Sequence, residues 1–323
     1  MKDFAYKLYR FSSSWTGTII IVLFLIFFVA QSFVIPSGSM KRTLLIGDFL
    51  FAKKFSYGIP TPHLPWLEIP ILPDFDGDGH LISGDRPKRG DIVIFRYPKN
   101  EKIHYVKRCV AVGGDELIYQ NKKLYIHFHE GDAYIKSNYK PSKIKEINGK
   151  LWVLNPYMDK FKGIQYQPEG PNIFDILLEY ISLNQEVDVA PLFIPSLGGN
   201  TYEIDGRLVN ALYAKVDEDN FYMIGDNRDN SNDSRFWGAV PYRLIVGQPW
   251  LIYMSLEHRS YSSVLNGNKN GGGKDHAGLK RVCGDTPIDS KECEAKWNAQ
   301  LYKVRWKRVG KFINDLELEE PIQ

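Results

Sequence analysis

Cysteine is scarce in this chain, with three residues among 323. Three cysteines are too few for a disulfide-dense scaffold or a structural zinc cluster. An excess of one charge is also missing, because 41 basic residues nearly balance 38 acidic ones. Proteins whose main role is binding nucleic acid usually carry a strong basic excess, so that class is disfavoured. The hydrophobic share of 44% excludes wholesale disorder, and the length suggests two domains or one domain with insertions.

No charged residue occurs between Arg10 and Lys41, and residues 19–30 within this window are all apolar. A helix over residues 15–34 would cross the hydrocarbon core of a bilayer, which needs about 20 residues. Basic residues outnumber acidic ones before this span. The positive-inside rule therefore predicts that residues 1–14 are a cytoplasmic tail and that the rest of the chain lies outside the cytoplasm.

A cleaved signal peptide is the alternative interpretation of this span, because its apolar core also has the length of such a segment. Cleavage near Ala30 would place Phe28 at a position that requires a small residue. An uncleaved anchor is therefore the favoured prediction.

Short β-branched and aromatic runs dominate the remainder and predict strands. The predicted strands are 44–53, 91–97, 103–112, 124–128, 220–224 and 244–256. Residues 58–90 have the Pro, Gly and Asp content of loops, and 257–280 have that of a flexible loop. Residues 116–215 are less regular, with a short helix near 173–183, and are predicted to be an inserted lobe. The chain is therefore predicted to be mostly β.

Ser39 lies in a Gly-Ser turn just after the apolar span, and a serine hydroxyl becomes a nucleophile only beside a base. None of the seven histidines has a sequence context typical of a catalytic triad. Lys107 is the alternative base, because strand alternation makes it the only charge on an apolar face, and apolar surroundings disfavour the ammonium form. Taken alone, Ser39 is equally typical of an ordinary loop, and Lys107 of a lysine that extends to solvent.

Residues 225–238 form the densest polar cluster in the chain, with aspartates, arginines and serines between two aromatic stretches. A solvated turn would have this composition. The flanking aromatic residues instead favour a loop held against a core, where polar networks orient catalytic groups or maintain architecture.

Four segments together resemble type I signal peptidase, a family of membrane-bound serine endopeptidases with a Ser/Lys dyad. They are FVIPSGSMKRTLLIGDFLFAKK, RGDIVIF, YVKRCVAVGGDE and GDNRDNSNDSRFWG. They follow the predicted membrane segment immediately and occur in the order of the family. Arg42 is a departure, because the family usually has proline at this position.

The resemblance implies that Ser39 is the nucleophile and that Lys107, buried and neutral, is the general base. It implies that Ser37 forms an oxyanion hole together with the backbone N–H of Ser39. Ser231 would hydrogen-bond and orient Lys107. Asp233 and Arg235 would brace the loop that carries Ser231.

Substrate-binding residues are implied in the same way. The pocket for the residue before the cut would be lined by Ile35, Pro36, Met40, Leu44 and Tyr105, and the pocket two residues upstream by Phe33, Leu50 and Ile94. Small, shallow apolar pockets would explain cleavage after Ala-x-Ala sequences, since large side chains have no room.

The implied architecture is an antiparallel β-sheet catalytic domain, residues 35–115 and 216–323, with one N-terminal transmembrane helix and the smaller lobe at 116–215. The implied location is the bacterial inner (plasma) membrane, with the catalytic domain on the periplasmic side. The implied partners are signal peptides of secreted preproteins and the lipid bilayer, without nucleic acid, cofactor or metal.

Two alternatives remain open at this stage, namely a dedicated conjugation-type peptidase of the same superfamily and a non-catalytic, membrane-anchored β-rich binding module. Residues 74–85 also match part of a calcium-loop pattern, although Asp85 replaces its final glutamate. Cys283 and Cys293 are candidates for a disulfide in an extracytoplasmic region.

Overall fold

The structure is a computed structural model. It describes residues 6, 9–24, 30–64, 69–74, 76–168, 172–193, 203–204, 207–208, 210–257, 276–299 and 303–321. The strands in chain order are β1 (Ala30–Val34), β2 (Asp48–Lys53), β3 (Gly58–Pro60), β4 (His63–Leu64), β5 (Ile69–Pro70), β6 (His80–Ser83), β7 (Ile92–Tyr97), β8 (Asn100–Val112), β9 (Glu116–Gln120), β10 (Lys123–His127), β11 (Ile144–Ile147), β12 (Lys150–Leu154), β13 (Ala190–Phe193), β14 (Glu203–Ile204), β15 (Arg207–Leu208), β16 (Ala211–Lys215), β17 (Asn220–Ile224), β18 (Val240–Pro241), β19 (Ile245–Glu257) and β20 (Lys303–Val304).

The α-helices are α1 (Trp15–Phe24), α2 (Gly131–Asn138), α3 (Ile173–Ser182), α4 (Ser234–Trp237), α5 (His276–Cys283), α6 (Lys291–Ala299) and α7 (Ile313–Leu316). Single 3₁₀ turns occur at Gly38–Met40, Pro141–Lys143, Tyr242–Leu244 and Trp306–Arg308. The chain is therefore mostly β, as its composition of short apolar runs predicts.

The larger sheet has eight described strands in the order β1-β2-β19-β7-β8-β17-β18, with β20 paired to β19. Its pairs are antiparallel. In β7 the side chains alternate between two hydrophobic clusters, with Ile92 and Ile94 in one and Val93 and Phe95 in the other. A strand buried on both faces needs apolar residues at every position, which explains the continuous run in β7.

The smaller sheet has the order β11-β12-β10-β9-β16-β13. All six of these strands lie within residues 116–215, the segment predicted to be an inserted lobe. Helix α3 begins where the Asn172 side chain accepts the backbone N–H of Phe174, and it buries Leu177 in the core of this lobe. Val110 and Ala111 at the end of β8 belong to the same cluster, so one continuous core joins the two sheets.

The apolar segment near the N-terminus differs from its prediction. The sequence predicts one helix over residues 15–34. The described part of α1 is Trp15–Phe24, and residues 30–34 form β1, which pairs with β2. A short segment of this composition fits the end of a helix or a strand, and pairing with β2 makes it a strand. Among the residues that the structure describes, no helix has the length and apolar character needed to cross a membrane.

Three other predicted segments differ from the structure in their bounds or content. The strand predicted at 44–53 begins at Asp48, because the preceding residues form a turn that ends at Gly47 with a φ of 82°. The predicted loop at 58–90 contains four short strands. The flexible loop predicted at 257–280 lies largely outside the described residues, and α5 occupies its final part from His276.

Candidate functional site

Ser39 and Lys107 meet although 68 positions separate them in the chain. Lys107 Nζ donates a hydrogen bond to Ser39 Oγ at 2.7 Å and another to the backbone oxygen of Val106 at 3.1 Å. Ser39 lies in the 3₁₀ turn after Pro36, and Lys107 lies in β8 opposite Val93 of β7. Both side chains are buried. The arrangement can pass a proton between a hydroxyl and an amine within a site shielded from water.

Burial sets the charge state of Lys107. Desolvation lowers the pKa of this amine from 10.5 to about 8, and the carboxylates of Asp233 and Asp226 partly oppose it. A pKa of about 8 leaves roughly one molecule in ten with a neutral lysine at pH 7. A neutral amine has a free lone pair and can accept the proton of the Ser39 hydroxyl.

The polar loop after β17 holds the turn that carries Ser39. The backbone N–H of Asn227 donates to the carbonyl oxygen of Ser39 at 3.0 Å, and Asn227 Nδ2 donates to that of Gly38 at 2.9 Å. Gly225 permits this approach, because a Cβ atom there would lie 2.5 Å from the Ser39 carbonyl oxygen. The loop therefore fixes the backbone of the turn that carries Ser39.

Asp226 also contacts the turn that carries Ser39. Thr43 Oγ1 donates to Asp226 Oδ2 at 2.5 Å, and the backbone N–H of Asp226 contacts Met40 Sδ at 3.4 Å. Arg108 Nε and Nη2 each donate to the Asp226 carboxylate at 2.8 Å. Arg108 and Asp226 are both fully buried, and the charge of Arg108 helps to hold the pKa of Asp226 below its ordinary value. This ion pair joins the strand that carries Lys107 to the turn that carries Ser39.

Asp233 and Arg235 form a second buried ion pair within the loop. Arg235 Nε donates to Asp233 Oδ1 at 2.8 Å, and Arg235 Nη2 donates to the backbone oxygen of Arg228 at 2.7 Å. Asp233 Oδ2 also accepts the backbone N–H of Gly225 at 3.1 Å. The pair thus braces the loop.

Ser231 differs from its prediction. The family resemblance implies a hydrogen bond between Ser231 and Lys107, but no hydrogen bond joins the buried Ser231 Oγ to Lys107 Nζ. The two hydrogen bonds from Lys107 Nζ go to Ser39 Oγ and the Val106 carbonyl oxygen instead. Ser231 lies beside Asp233 and helps to lower the pKa of that carboxyl. The orientation of Lys107 therefore depends on its strand and on Ser39.

A cleft of about 360 Å³ opens onto the two side chains. Its lining residues are 33–39, Ile94, 103–107, Asn230 and Asn232. The lining includes five of the predicted substrate-binding residues, namely Phe33, Ile35, Pro36, Ile94 and Tyr105. The other three, Met40, Leu44 and Leu50, do not line the cleft and are buried in the hydrophobic cluster that also contains Ile35 and Ile94. Ser37 Oγ lies 3.4 Å from Ser39 Oγ, also in the lining.

Two strand edges border this cleft. β1 is the outermost strand of the larger sheet, and β17 pairs with β8 only from Arg108 to Val112. Within the described part of the chain, residues 103–107 therefore have β7 on one edge and no strand on the other. An extended peptide placed between these edges would find backbone hydrogen-bonding groups there.

Sequence reasoning missed several residues at this site. It gave no sign that Arg108 would pair with Asp226, because the partners are 118 positions apart. Asn227 lies in the polar segment that the sequence singles out, yet no spacing distinguishes its role. His104 also lines the cleft, and its ring centroid lies 5.3 Å from that of Phe33. Burial lowers the pKa of His104 to about 4.

Metal-ligating groups come together elsewhere. Asp115, His129 and Glu130 form a cluster of the kind that can hold a metal ion. Arg89 Nη2 lies 2.6 Å from Asp115 Oδ1 and 2.8 Å from Glu130 Oε2, so its guanidinium already balances the two carboxylates. In the calcium-like segment, Asp74 accepts the backbone N–H groups of Gly77 and Gly79 in a local turn. Neither arrangement contacts the cleft.

Comparison with known proteins gives consistent matches. A family model described as "Signal peptidase, peptidase S26" matches residues 8–254. Signal peptidase I of Helicobacter pylori strain 26695 is 43% identical over 318 residues, covering 97% of this chain and 96% of that protein. Signal peptidase I of Pseudomonas aeruginosa PAO1 is 31% identical over 275 residues, covering 82% and 78% respectively. A crystal structure of a signal peptidase I from Enterococcus faecalis V583 aligns with a TM-score of 0.23 and 19% identity, covering 51% of this chain and 97% of that one.

Proposed function

Since the chain belongs to the signal peptidase family, peptidase S26, it is a serine peptidase, and we propose that it removes signal peptides from exported preproteins with Ser39 as nucleophile and Lys107 as general base. The observation that carries this proposal is the 2.7 Å contact between Lys107 Nζ and Ser39 Oγ in a buried setting. Nucleophile and base within hydrogen-bond reach are the requirement for activating a serine hydroxyl.

The reaction follows from this geometry. Neutral Lys107 accepts the hydroxyl proton while Ser39 Oγ attacks the scissile carbonyl carbon. The resulting ammonium then donates the proton to the leaving amine, which departs as the new N-terminus of the mature protein. Lys107, neutral again, takes a proton from the water whose oxygen attacks the ester carbon at Ser39. As the bond between that carbon and Ser39 Oγ breaks, Lys107 returns the proton to Oγ, and the signal peptide leaves with a new carboxyl group.

The tetrahedral intermediate needs donors for its oxyanion. Ser37 Oγ lies 3.4 Å from Ser39 Oγ and shares the cleft lining, so its hydroxyl can donate to an oxygen held there. The backbone N–H of Ser39 is the second proposed donor. Donors held in place before the reaction stabilise developing charge without reorganisation.

Substrate selection is proposed to follow from the cleft walls. The signal peptide would lie extended between the edges of β1 and β8, with its side chains directed at the apolar lining of Phe33, Ile35, Pro36, Ile94 and Tyr105. Met40, Leu44 and Leu50 would limit pocket depth from behind, since they belong to the cluster that backs this lining. Shallow apolar pockets favour small residues at the cleavage site.

Anchoring to the bacterial plasma membrane is also a proposal. It is supported by the charge-free window between Arg10 and Lys41 and by the basic residues before it. The tail at 1–14 would lie in the cytoplasm and the catalytic domain on the outer side, where preproteins emerge.

The dyad is tested with purified enzyme and a preprotein that carries an Ala-x-Ala site. Ser39→Ala and Lys107→Ala are each expected to abolish cleavage. Lys107→Arg is expected to fail as well, because arginine stays protonated and cannot accept the proton.

Matched controls separate these losses from general damage. Lys102→Ala removes an exposed lysine from the same strand, and Ser137→Ala removes an exposed serine from α2. Both should retain wild-type rates. Substantial cleavage by folded Ser39→Ala or Lys107→Ala would refute the proposed dyad.

A further inference from the structure

The segment after β20 returns to the side of the larger sheet that carries the nucleophile turn. It lies beyond residue 254, where the match to the family model ends. The backbone N–H of Gly310 donates to the Ile252 carbonyl oxygen at 2.8 Å, and the N–H of Ile252 donates to that of Lys311 at 3.0 Å. Ile313 and Leu316 of α7 are buried in the same cluster as Met40 and Leu44. The end of the chain therefore packs beneath the turn that holds Ser39.

Glu317 follows α7 directly and contacts the buried ion pair. Its Oε2 accepts a hydrogen bond from Arg108 Nη1 at 2.8 Å, and its side chain is only 16% exposed. Nη1 also donates to the Gly90 carbonyl oxygen at 2.7 Å, while Nε and Nη2 donate to Asp226. Arg108 has no exposed surface in the folded protein, so Glu317 supplies an acceptor to a guanidinium that bulk water does not reach.

Arg108 connects this carboxylate to both halves of the dyad. It is the neighbour of Lys107 in β8, and its partner Asp226 accepts the hydroxyl of Thr43 at the end of the nucleophile turn. A guanidinium held by two carboxylates and a carbonyl has one orientation, because its donors form a rigid planar fork. Without the Glu317 carboxylate, Arg108 Nη1 would keep only the Gly90 carbonyl oxygen as an acceptor, and the guanidinium would be held less firmly.

We propose that the C-terminal segment around Glu317 is a positioning element, which fixes Arg108 and Asp226 and thereby holds Ser39 at its distance from Lys107. This inference rests on the proposed dyad but goes beyond it, because Glu317 does not line the cleft in which the substrate is proposed to bind. A positioning residue of this kind should affect the rate of the chemical step and leave substrate affinity unchanged.

The test compares Glu317→Ala, Glu317→Gln and the control Glu319→Gln in the full chain, with a signal-peptide substrate. Glu319 pairs with Lys311 at 2.6 Å at the surface, so its variant removes a neighbouring carboxylate without touching Arg108. Glu317→Ala should lower kcat by about tenfold with KM within about twofold of wild type. Glu317→Gln should recover part of the loss, because its amide oxygen still accepts the Nη1 hydrogen.

A second measurement does not depend on activity. Hydrogen–deuterium exchange should rise in peptides covering 38–44 and 225–228 in Glu317→Ala, and should match wild type there in Glu319→Gln. Wild-type kcat and wild-type exchange in Glu317→Ala would overturn the inference, and so would faster exchange spread evenly over the chain. Cleavage by Ser39→Ala would instead overturn the proposed dyad, while local exchange would still decide whether Glu317 holds the turn.

Discussion

The surroundings of Lys107 suit the role of general base that is proposed for it. Its nitrogen contacts the Tyr105 ring at 5.0 Å and the Ser39 hydroxyl, while Asp226 and Asp233 act on it electrostatically. Desolvation is the largest effect on its pKa, and the carboxylates limit the fall to about 8. Activity should therefore rise with pH through about 8, since only the neutral amine accepts a proton.

A carboxylate at the mouth of the cleft should move this pH profile. Asn232 is exposed and lines the same cleft as Lys107, so Asn232→Asp adds a negative charge with little change in shape. The added charge favours the ammonium form, and the midpoint of kcat/KM against pH should move upward. Added salt should reduce the upward movement of this midpoint, because the new charge is in contact with solvent and is screened. Asn138→Asp on α2 is the control, and an unmoved midpoint in folded Asn232→Asp would count against Lys107 as the titrating base.

Replacing the buried lysine should stabilise the protein at neutral pH. The pKa of Lys107 falls from 10.5 to about 8 on folding, so the unfolded chain binds this proton more tightly. Burying the charged lysine therefore lowers the free energy of unfolding by roughly 3 kcal/mol. This loss of stability is complete below about pH 8 and disappears as the pH rises to 10.5. Lys107→Met should therefore have a larger free energy of unfolding at pH 7, by as much as about 3 kcal/mol.

This stability difference is measured by urea unfolding at several pH values. It should shrink as the pH approaches 10.5, because wild type then loses the penalty and the methionine variant has none. A difference that is equal at pH 7 and pH 10 would contradict the proposed burial cost.

At the scale of elements, the site is a junction of one strand, one turn and one loop. β8 carries Lys107 with little freedom, because β7 pairs along it. The turn with Ser39 has no sheet partner of its own and depends on hydrogen bonds from Asn227. The loop is in turn held by the Asp233–Arg235 pair. Displacement of the loop should therefore move the nucleophile more than the base.

Gly225 tests this dependence. In Gly225→Ala the new Cβ would lie 2.5 Å from the Ser39 carbonyl oxygen and would also collide with Ser231 Oγ. The loop and the turn must then separate, and cleavage should fall by at least about 100-fold, as misplacement by about 1 Å can cause. The rate of peptide cleavage measures this loss.

A double variant identifies which contact is responsible. Gly225→Ala with Ser231→Gly removes the collision with the Ser231 side chain and leaves the collision with the Ser39 backbone. It should remain as inactive as the single variant. Recovery of activity would show that crowding of Ser231, and not displacement of the turn, causes the loss.

At the scale of the whole molecule, the two sheets have separate roles. The larger sheet supplies every residue of the cleft together with the adjoining turn and loop, while the smaller sheet adds none. Gln165 nevertheless connects the lobe to the site, because its backbone N–H donates to the Asp226 carbonyl oxygen at 3.0 Å. Through this hydrogen bond the lobe contacts the polar loop after β17.

The proposed topology is tested in spheroplasts of cells that produce the protein with an N-terminal tag. External protease should degrade the catalytic domain and leave the tagged tail intact, because the basic residues before the apolar window retain it inside. Permeabilised cells, in which the tail should also be lost, are the control. A catalytic domain that resists protease in intact spheroplasts but not in permeabilised cells would reverse the proposed orientation.

Several features follow from local pattern and were predicted before any partner was known. The strand at 220–224 and the helix from 173 agree with the structure, since a short apolar run, apolar periodicity and the Asn172 cap act within a few residues. The candidate nucleophile and base were also found from the sequence, first as weak hypotheses from chemistry and then through the resemblance of four ordered segments.

Tertiary structure decided the remaining features, because they depend on residues that are far apart in the chain. Residues 30–34, at the end of the predicted membrane span, form a strand because β2 offers them a partner edge. Lys107 reached Ser39 rather than Ser231, and Arg108 found Asp226 and Glu317, across separations of 118 and 209 residues. Local pattern states which residues are apolar, charged or able to turn the chain. It contains no information on which distant segments will cover Lys107 or which distant group will meet a buried charge. The burial lowers the pKa of Lys107, and the long-range hydrogen bonds hold the turn that carries Ser39.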